Sequence, residues 1–222
     1  MKLDFHSHIL PGIDDGATCT EDSLMLAKAL KDWGFERVTC TPHITDLYRN
    51  TPDTIRTAFE QLQESMQAAG LDLDIRMSAE YRLVPQVWPE VLEKNWIMPI
   101  EDKYLLMELP ISKPEQMGDI KPLEEFKKVI SMGLTPILPH PERYFYLSRR
   151  ELMSFAEAGV KIQCNYGSLA GLYGDAARDN VLDIISEGVV SFYGTDLHNA
   201  HYVKVLSDWF AAGNKIADYI DQ

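Results

Sequence analysis

The sequence alternates two kinds of segment seven times, and that alternation limits the fold more than any other feature. Short apolar or β-branched runs occur at 2–6 (KLDFH), 36–41 (ERVTCT), 73–79 (LDIRMSA), 103–109 (KYLLMEL), 134–138 (LTPIL), 160–164 (VKIQC) and 189–195 (VVSFYGT). Each has the length and composition of a strand. Between them, apolar residues recur at helical spacing. Leu24, Ala27, Leu30 and Trp33 do so within 22–33, and Gly34 follows as a stop. Thr51 and Pro52 read as cap and first-turn proline of a helix with the apolar face Ile55, Phe59, Leu62, Met66 and Ala69. Residues 84–95 give a shorter helix, and 120–132 put Ile120, Leu123, Phe126 and Ile130 on one face. Segments 148–158, 176–187 and 202–220 complete the set. Strand followed by helix at about 32 residues per unit predicts an α/β fold, a parallel sheet with helices outside it. Closed or nearly closed, this is a (β/α)7 barrel, one unit short of the common eight; an open doubly wound sheet is the rival. No linker interrupts the 222 residues, so a single domain over 1–222 is expected.

Composition removes several function classes. With 21 Lys+Arg against 34 Asp+Glu the net charge is −13, which disfavours nucleic acid as a partner. No apolar run approaches the ~20 residues of a membrane span, and MKLDFHSHILPGIDDG lacks the apolar centre of a signal peptide. Cys19, Cys40 and Cys164 are scattered, with no pair suggesting a disulfide framework. A cytoplasmic protein is expected. A cysteine phosphatase needs Cys-x5-Arg, but Asp46 and Ala170 stand at that spacing from Cys40 and Cys164. The phosphate-binding, nucleotide and serine-hydrolase motifs GxxxxGK[ST], GxGxxG and GxSxG do not occur.

The titratable residues fall where a barrel does its chemistry, at the C-terminal ends of strands. His6 and His8 follow the first strand, His43 the second, His140 the fifth, and His198 and His201 the seventh. His6-x-His8 and Asp196-x-His198 repeat a two-residue spacing that points both side chains of an extended segment the same way. They lie on the first and last strands, which adjoin when a barrel closes. Glu80 and Glu108 are carboxylates at the ends of apolar strands, costly unless paired or metal-bound. The alternatives are a buried pair with Arg82 for Glu80 and an exposed rim for Glu108. Asp14-Asp15-Gly16 reads either as a turn or as a source of one ligand. Together His6, His8, Asp15, His43, Glu80, Glu108, His140, Asp196 and His198 offer nine N/O donors, enough for two or three ions. Imidazole and carboxylate without thiolate suit Mn, Zn or Fe.

DFHSHILPGIDDG, TPH, SAEYR, MEL, HPERY and GTDLHN, in this order from residue 4 to residue 199, resemble the motifs of the polymerase-and-histidinol-phosphatase (PHP) superfamily. Within it the chain is similar to the bacterial metal-dependent protein-tyrosine phosphatases of capsule and exopolysaccharide loci. The resemblance implies a distorted (β/α)7 TIM-like barrel with three metals, usually Mn²⁺. His6, His8, Glu80 and Asp196 would hold the first; Glu80 would bridge to a second with Glu108 and His140; Asp15, His43 and His198 would hold the third. It further implies that Arg143 binds phosphate, that Asp196 and His198 belong to the catalytic machinery, and that the substrate is a phosphotyrosine protein, the tail of a tyrosine kinase controlling polysaccharide synthesis. Where the family tends to carry a further arginine after the last DxH, this chain has His201 and Lys204.

Two other readings remain at this point. One is a small-molecule phosphatase, such as histidinol-phosphate phosphatase, or a phosphodiesterase. The other is a catalytically silent regulatory barrel, which the complete donor set disfavours. The C-terminal helix, with Val203, Leu206, Trp209 and Phe210, either covers the barrel or meets another subunit of an oligomer.

Overall fold

The computed structural model describes residues 2–215. The expected strands form with small shifts, with two short ones besides: β1 (Leu3–Ser7), β2 (Arg37–Cys40), β3 (His43–Ile44), β4 (Asp74–Met77), β5 (Glu80–Arg82), β6 (Tyr104–Glu108), β7 (Thr135–Pro139), β8 (Lys161–Asn165) and β9 (Val190–Gly194). The helices are α1 (Thr20–Asp32), α2 (Pro52–Ala68), α3 (Trp88–Glu93), α4 (Pro122–Ser131), α5 (Arg149–Glu157), α6 (Tyr166–Leu169), α7 (Asp175–Ser186) and α8 (Ala200–Ala211). The short α6 was not foreseen. The part of the 202–220 helix beyond 215 lies outside the described residues.

The second and third expected strands are β2 and β4, and each is followed after two residues by a short strand that was not expected, β3 and β5. β2 and β3 are separated by Thr41-Pro42, and β4 and β5 by Ser78-Ala79. Proline has no N–H to give a ladder, yet the pairing carries across both breaks through Ser78 N–H to the Cys40 carbonyl (2.9 Å) and Glu80 N–H to that of Pro42 (3.1 Å). The result is two parallel sheets, β1-β2-β4 and β3-β5-β6-β7-β8-β9. Followed through the breaks, the strands stand in chain order. A doubly wound sheet reverses its order at a switch point, and no reversal occurs here. The last strand returns to the first: a parallel bridge joins Ser7 and Leu197, with His8 N–H bonded to the Leu197 carbonyl (3.0 Å) and Asp196 N–H to that of His6 (2.9 Å).

Period-2 alternation divides each strand between two environments. On β6, Leu105 and Met107 join the large core under the helices, whereas Leu106 packs in a separate cluster with Ile137, Phe5, Tyr104 and Phe192. Glu108 is next in that same alternation. On α4 the buried face is Phe126 and Val129, while Ile130 is exposed. On α1 it is Leu26, Ala27 and Leu30, with Leu24 only half-buried. α2 starts as expected: the Thr51 hydroxyl accepts from Thr54 N–H, with Pro52 in the first turn. On α8, Leu206 and Trp209 are buried, and the Phe210 ring packs at a tilt against Trp33, centroids 5.3 Å apart, so this helix covers α1 and the core.

Candidate metal centre

The nine expected donors meet at one end of the sheets: His6 and Glu108 near the ends of β1 and β6, His8, His140, Asp196 and His198 just after β1, β7 and β9, His43 and Glu80 as the first residues of the short β3 and β5, and Asp15 in the loop between β1 and α1. Donor atoms of His6, His8 and Asp196, of His6, Glu80 and His140, of His43, Glu80 and Glu108, and of His8, Asp15, His43 and His198 form four groups, each within 4.8 Å. Two of these residues need unusual backbone. His140 (φ 38°) and Asp196 (φ 50°) sit in the left-handed region, which costs non-glycine residues roughly 1–3 kcal/mol and clusters at functional sites. Gly16 is required for a different reason: a Cβ there would lie 2.0 Å from the His8 carbonyl oxygen. The Asp-Asp-Gly segment therefore folds directly onto His8.

Three imidazoles have their ring orientation fixed from behind. His8 Nδ1 bonds Asp14 Oδ2 at 2.8 Å, His6 Nδ1 bonds Gln163 Oε1 at 2.8 Å, and His198 Nδ1 bonds the Asp196 carbonyl at 2.8 Å. Each acceptor places the proton on Nδ1, which leaves Nε2 bare in the neutral ring. His6 Nε2 and His8 Nε2 then face each other at 3.1 Å. Asp196 Oδ1 lies 3.3 and 3.4 Å from them, and Glu80 Oε2 likewise 3.3 and 3.4 Å. Lone pairs meet lone pairs, an arrangement that a cation satisfies. The triangle of His6 Nε2, His8 Nε2 and Asp196 Oδ1 has its centre about 1.9 Å from each corner, close to the roughly 2.0–2.2 Å of zinc bonds to N and O. His43 Nδ1 and Glu80 Oε2 are sealed from water and lie 3.0 Å from each other, yet neither has a partner in hydrogen-bond geometry. By donor set and by geometry, these residues fit divalent ions.

The electrostatics point the same way. Burial would push the Glu80 carboxyl up, but His6 and His43 pull it well below its ordinary range. Burial likewise opposes ionisation of Asp196, and His6 and His198 overcome it. Burial would lower His6, yet Glu80 and Asp196 raise it; burial would lower His8, yet Asp14 raises it well above the usual value. The carboxylates hold positive charge at the imidazoles where ions would bind. His198 differs: burial and the neighbouring His8 push it down to about 4.

Above the cluster lies a cleft of about 230 Å³, lined among others by Arg82, Ile111, Arg143 and Tyr202. Arg143 Nη1 donates to Asp196 Oδ2 at 3.1 Å, and its guanidinium lies 4.3 Å from the Tyr173 ring centre. Glu142, next to Arg143 in the chain, is buried and accepts instead from Asn165 N–H and the Ser168 hydroxyl. Arg82 does not pair with Glu80; it donates to Glu108 Oε1 at 2.8 Å, directly across the β5–β6 register. Glu108 is buried rather than at an exposed rim. His201 and Lys204 do not reach the site. His201 is exposed in the first turn of α8, and Lys204 pairs with Asp208 on the surface. The second cation of the cleft is Arg82. Sequence reasoning missed Gln163 and Asn165, which act behind the donors, as does Asp14, the member of the Asp14-Asp15 pair that bonds His8.

The model of the family described as "Capsular polysaccharide synthesis, CpsB/CapC" matches residues 2–204. The chain belongs to this family. It is 28% identical over 200 residues to the tyrosine-protein phosphatase YwqE of Bacillus subtilis (strain 168), covering 89% of this chain and 77% of that protein. It is 25% identical over 206 residues to the tyrosine-protein phosphatase CpsB of Streptococcus pneumoniae, covering 89% and 83%. A solved structure from work on YwqE and CpsB, described as metal-dependent tyrosine phosphatases, superposes with a TM-score of 0.81 at 27% identity, over 94% of this chain and 87% of that one. Histidinol phosphate phosphatase from Lactococcus lactis, solved with zinc, L-histidinol and phosphate, has a TM-score of 0.56 at 12% identity, covering 96% and 94%; it shares the fold. Among the described residues no helix is long and apolar enough to cross a membrane.

Proposed function

We propose that this CpsB/CapC chain is a metal-dependent protein-tyrosine phosphatase. Its centre is the cluster of His6, His8, Asp15, His43, Glu80, Glu108, His140, Asp196 and His198. The observation that carries the reading is the convergence of His6 Nε2, His8 Nε2, Glu80 Oε2 and Asp196 Oδ1 in a chain whose relatives are named tyrosine-protein phosphatases. The nine residues would hold two or three divalent ions, Mn²⁺ foremost, with Fe or Zn also compatible with the donors. Such ions supply an activated water and offset charge on phosphate oxygens.

The chain's own residues do the rest. Arg143 presents a rigid fork of donors to two phosphate oxygens. Asp196 Oδ2 keeps bonds from Asn165 Nδ2 (2.8 Å) and the Tyr173 hydroxyl (3.2 Å) when Arg143 turns to substrate. Arg82, anchored on Glu108, adds a second cation to the cleft lining. Ile111 and Tyr202 give that cleft its apolar surface, suited to an aryl ring. A departing tyrosine phenolate, with an ordinary pKa near about 10, needs little protonation. In this reading Arg143, Asp196 and His198 take part in the chemistry.

The substrate in this reading is a phosphotyrosine segment of a protein, the tail of a tyrosine kinase of polysaccharide export. The molecule works as one domain in the cytoplasm. A substrate panel tests it: phosphotyrosine peptide, phosphoserine peptide, histidinol phosphate and a bis-aryl phosphodiester, each with added Mn²⁺. Preference for the phosphotyrosine peptide is expected. Faster turnover of histidinol phosphate or of the diester would replace the reading, and no turnover at full metal content would make the barrel a silent one.

A further inference from the structure

We propose that Gln163 and Asn165 are positioning residues, forming a two-amide relay that fixes His6 and Asp196 for metal binding. The inference rests on the metal-dependent reading above. Both residues lie on β8 at the two-residue spacing that turns side chains to one face. Both are fully buried. His6 Nδ1–H donates to Gln163 Oε1 (2.8 Å), Gln163 Nε2 donates to Asn165 Oδ1 (2.8 Å), and Asn165 Nδ2 donates to Asp196 Oδ2 (2.8 Å).

The direction of this chain follows from its far end. A carboxylate that offers its oxygens to an ion and to a guanidinium only accepts, and Asp196 Oδ2 already receives Arg143 Nη1 at 3.1 Å and the Tyr173 hydroxyl at 3.2 Å. Asn165 must therefore turn its NH2 to Asp196 and its oxygen to Gln163. Gln163 must then turn its NH2 to Asn165 and its oxygen to His6. The imidazole facing that oxygen carries its proton on Nδ1, and Nε2 is left bare toward the cluster. One independent contact agrees. Gln163 Nε2 also donates to the Cys164 carbonyl at 2.9 Å, an acceptor that cannot reverse. Asn165 is pinned through its own N–H to Glu142 Oε1 at 2.9 Å.

The surroundings are shaped for the relay. A Cβ on Gly194 would come 2.9 Å from Gln163 Nε2 and 3.0 Å from His6 Cβ, so the neighbouring strand must have glycine where the amide passes. The Gln163 carbonyl receives the His140 N–H at 2.7 Å, so one residue of β8 braces donors on both sides of it. Ordinary core packing would ask only for volume at residues 163 and 165. The relay asks for an acceptor at one end and a donor at the other.

The test is metal affinity with a spectroscopic readout. Zinc is titrated into metal-stripped wild type and variants against a competing chelator, and imidazole 15N–1H correlations of the zinc-loaded protein report which nitrogen of His6 carries the proton. Gln163→Leu should weaken the tightest ion about 10–100-fold, the usual effect of losing a group that orients a ligand, and should abolish the protected His6 Nδ1–H signal. Gln163→Glu keeps an acceptor at His6, so it should retain that signal and lose less affinity. Asn165→Leu should weaken binding while keeping the His6 signal, and it carries the test if Gln163→Leu does not fold. Wild-type affinity in either leucine variant overturns the relay, as does equal loss in Gln163→Glu and Gln163→Leu. Wild type that takes up no ion would instead sink the metal-dependent reading itself.

Discussion

Replacing Arg143 by lysine separates a phosphate-binding role from a structural one. In the structure the guanidinium contacts Asp196 Oδ2 at 3.1 Å and the Tyr173 face at 4.3 Å, and its side chain is 23% exposed, on the cleft wall. Lysine keeps the charge and one directed hydrogen bond but loses the planar fork. A charge-assisted bond contributes about 1.5–3 kcal/mol. Loss of one such bond to the transition state lowers kcat/KM by about 10–100-fold, equivalent to about 1.4–2.7 kcal/mol.

The cost to folding should be smaller. Asp196 Oδ2 still accepts from Asn165 and Tyr173, so no buried oxygen is left bare. What goes is a partly exposed ion pair and a cation–π contact, together about 1–2 kcal/mol. The assay is kcat/KM on a phosphotyrosine peptide with metal content and Tm measured on the same preparation. Arg143→Lys at near-wild-type turnover with all ions present would refute the reasoning. Equal loss of turnover and of bound metal would make Arg143 a support for Asp196 rather than a phosphate ligand.

Arg82→Gln should lower kcat/KM about tenfold, because one of two cleft cations goes and the Glu108 carboxylate loses its 2.8 Å partner; unchanged kinetics would remove Arg82 from substrate binding. Carefully loaded protein should carry two or three ions per chain and lose hydrolysis to a chelator, with recovery on adding Mn²⁺; one ion or none would rule out the multinuclear centre. A variant with alanine at Cys19, Cys40 and Cys164 should keep most of its activity per folded molecule, since burial holds the Cys40 and Cys164 thiols above their usual range and no thiolate is needed; lost turnover with intact fold and metal would revive covalent catalysis. Burial alone would lower His43, but Glu80 and Glu108 outweigh it and lift it to about 10 from 6.5. In the metal-free protein its contribution to stability is therefore complete below pH of about 6.5 and lost as pH climbs through about 10. Ions must displace the same proton, so affinity should rise with pH across that window with measurable proton release; a pH-independent affinity there contradicts the assignment.

The strand ends were legible because their chemistry is periodic. His6-x-His8 stands at a spacing that an extended chain turns to one side; Asp196-x-His198 repeats the spacing, but it lies beyond β9 and Asp196 is left-handed (φ 50°), so a bend rather than a strand brings that pair to the cluster. Gln163-x-Asn165 has the same spacing but went unread, since amides carry no charge to stand out in an apolar strand. In Asp14-Asp15 the pattern could not say which carboxylate does what. The backbone decides: Asp14 turns under His8 and accepts from His43 N–H at 3.1 Å and Gly16 N–H at 3.0 Å, while Asp15 reaches the open side near His43 and His198. Arg82 was weighed only against Glu80, two residues away in sequence. In a strand, Glu80 and Arg82 share a face, but the parallel neighbour sets Arg82 opposite Glu108. Pairing across strands is a property of register, which one strand's sequence does not contain. His201 counted as a strand-end histidine until α8 began one residue before it.

The place where the ring of strands meets is also where the candidate centre lies, and the two facts share a cause. Between β1 and the end of β9 the ladder is thin: one bridge at Ser7 and Leu197, with the two backbone bonds from His8 and Asp196. Side chains supply the rest. Asp4 accepts from Thr195 N–H at 3.0 Å and from its hydroxyl at 2.5 Å, a carboxyl whose burial pushes it up to about 6. A seam with few ladder bonds frees strand-end backbone to take unusual conformations, and Asp196 does so at φ 50°. It also puts His6 and His8 on one side of the junction and Asp196 and His198 on the other. An ion held by both sides crosslinks first strand to last, and its binding free energy adds to folding by roughly RT ln(1 + [ion]/Kd). The seam is weak in backbone pairing where it is rich in ligands. Stripping metal should therefore loosen this junction before any other part of the ring, with amides of His8 and Asp196 exchanging sooner than those of β6 and β7.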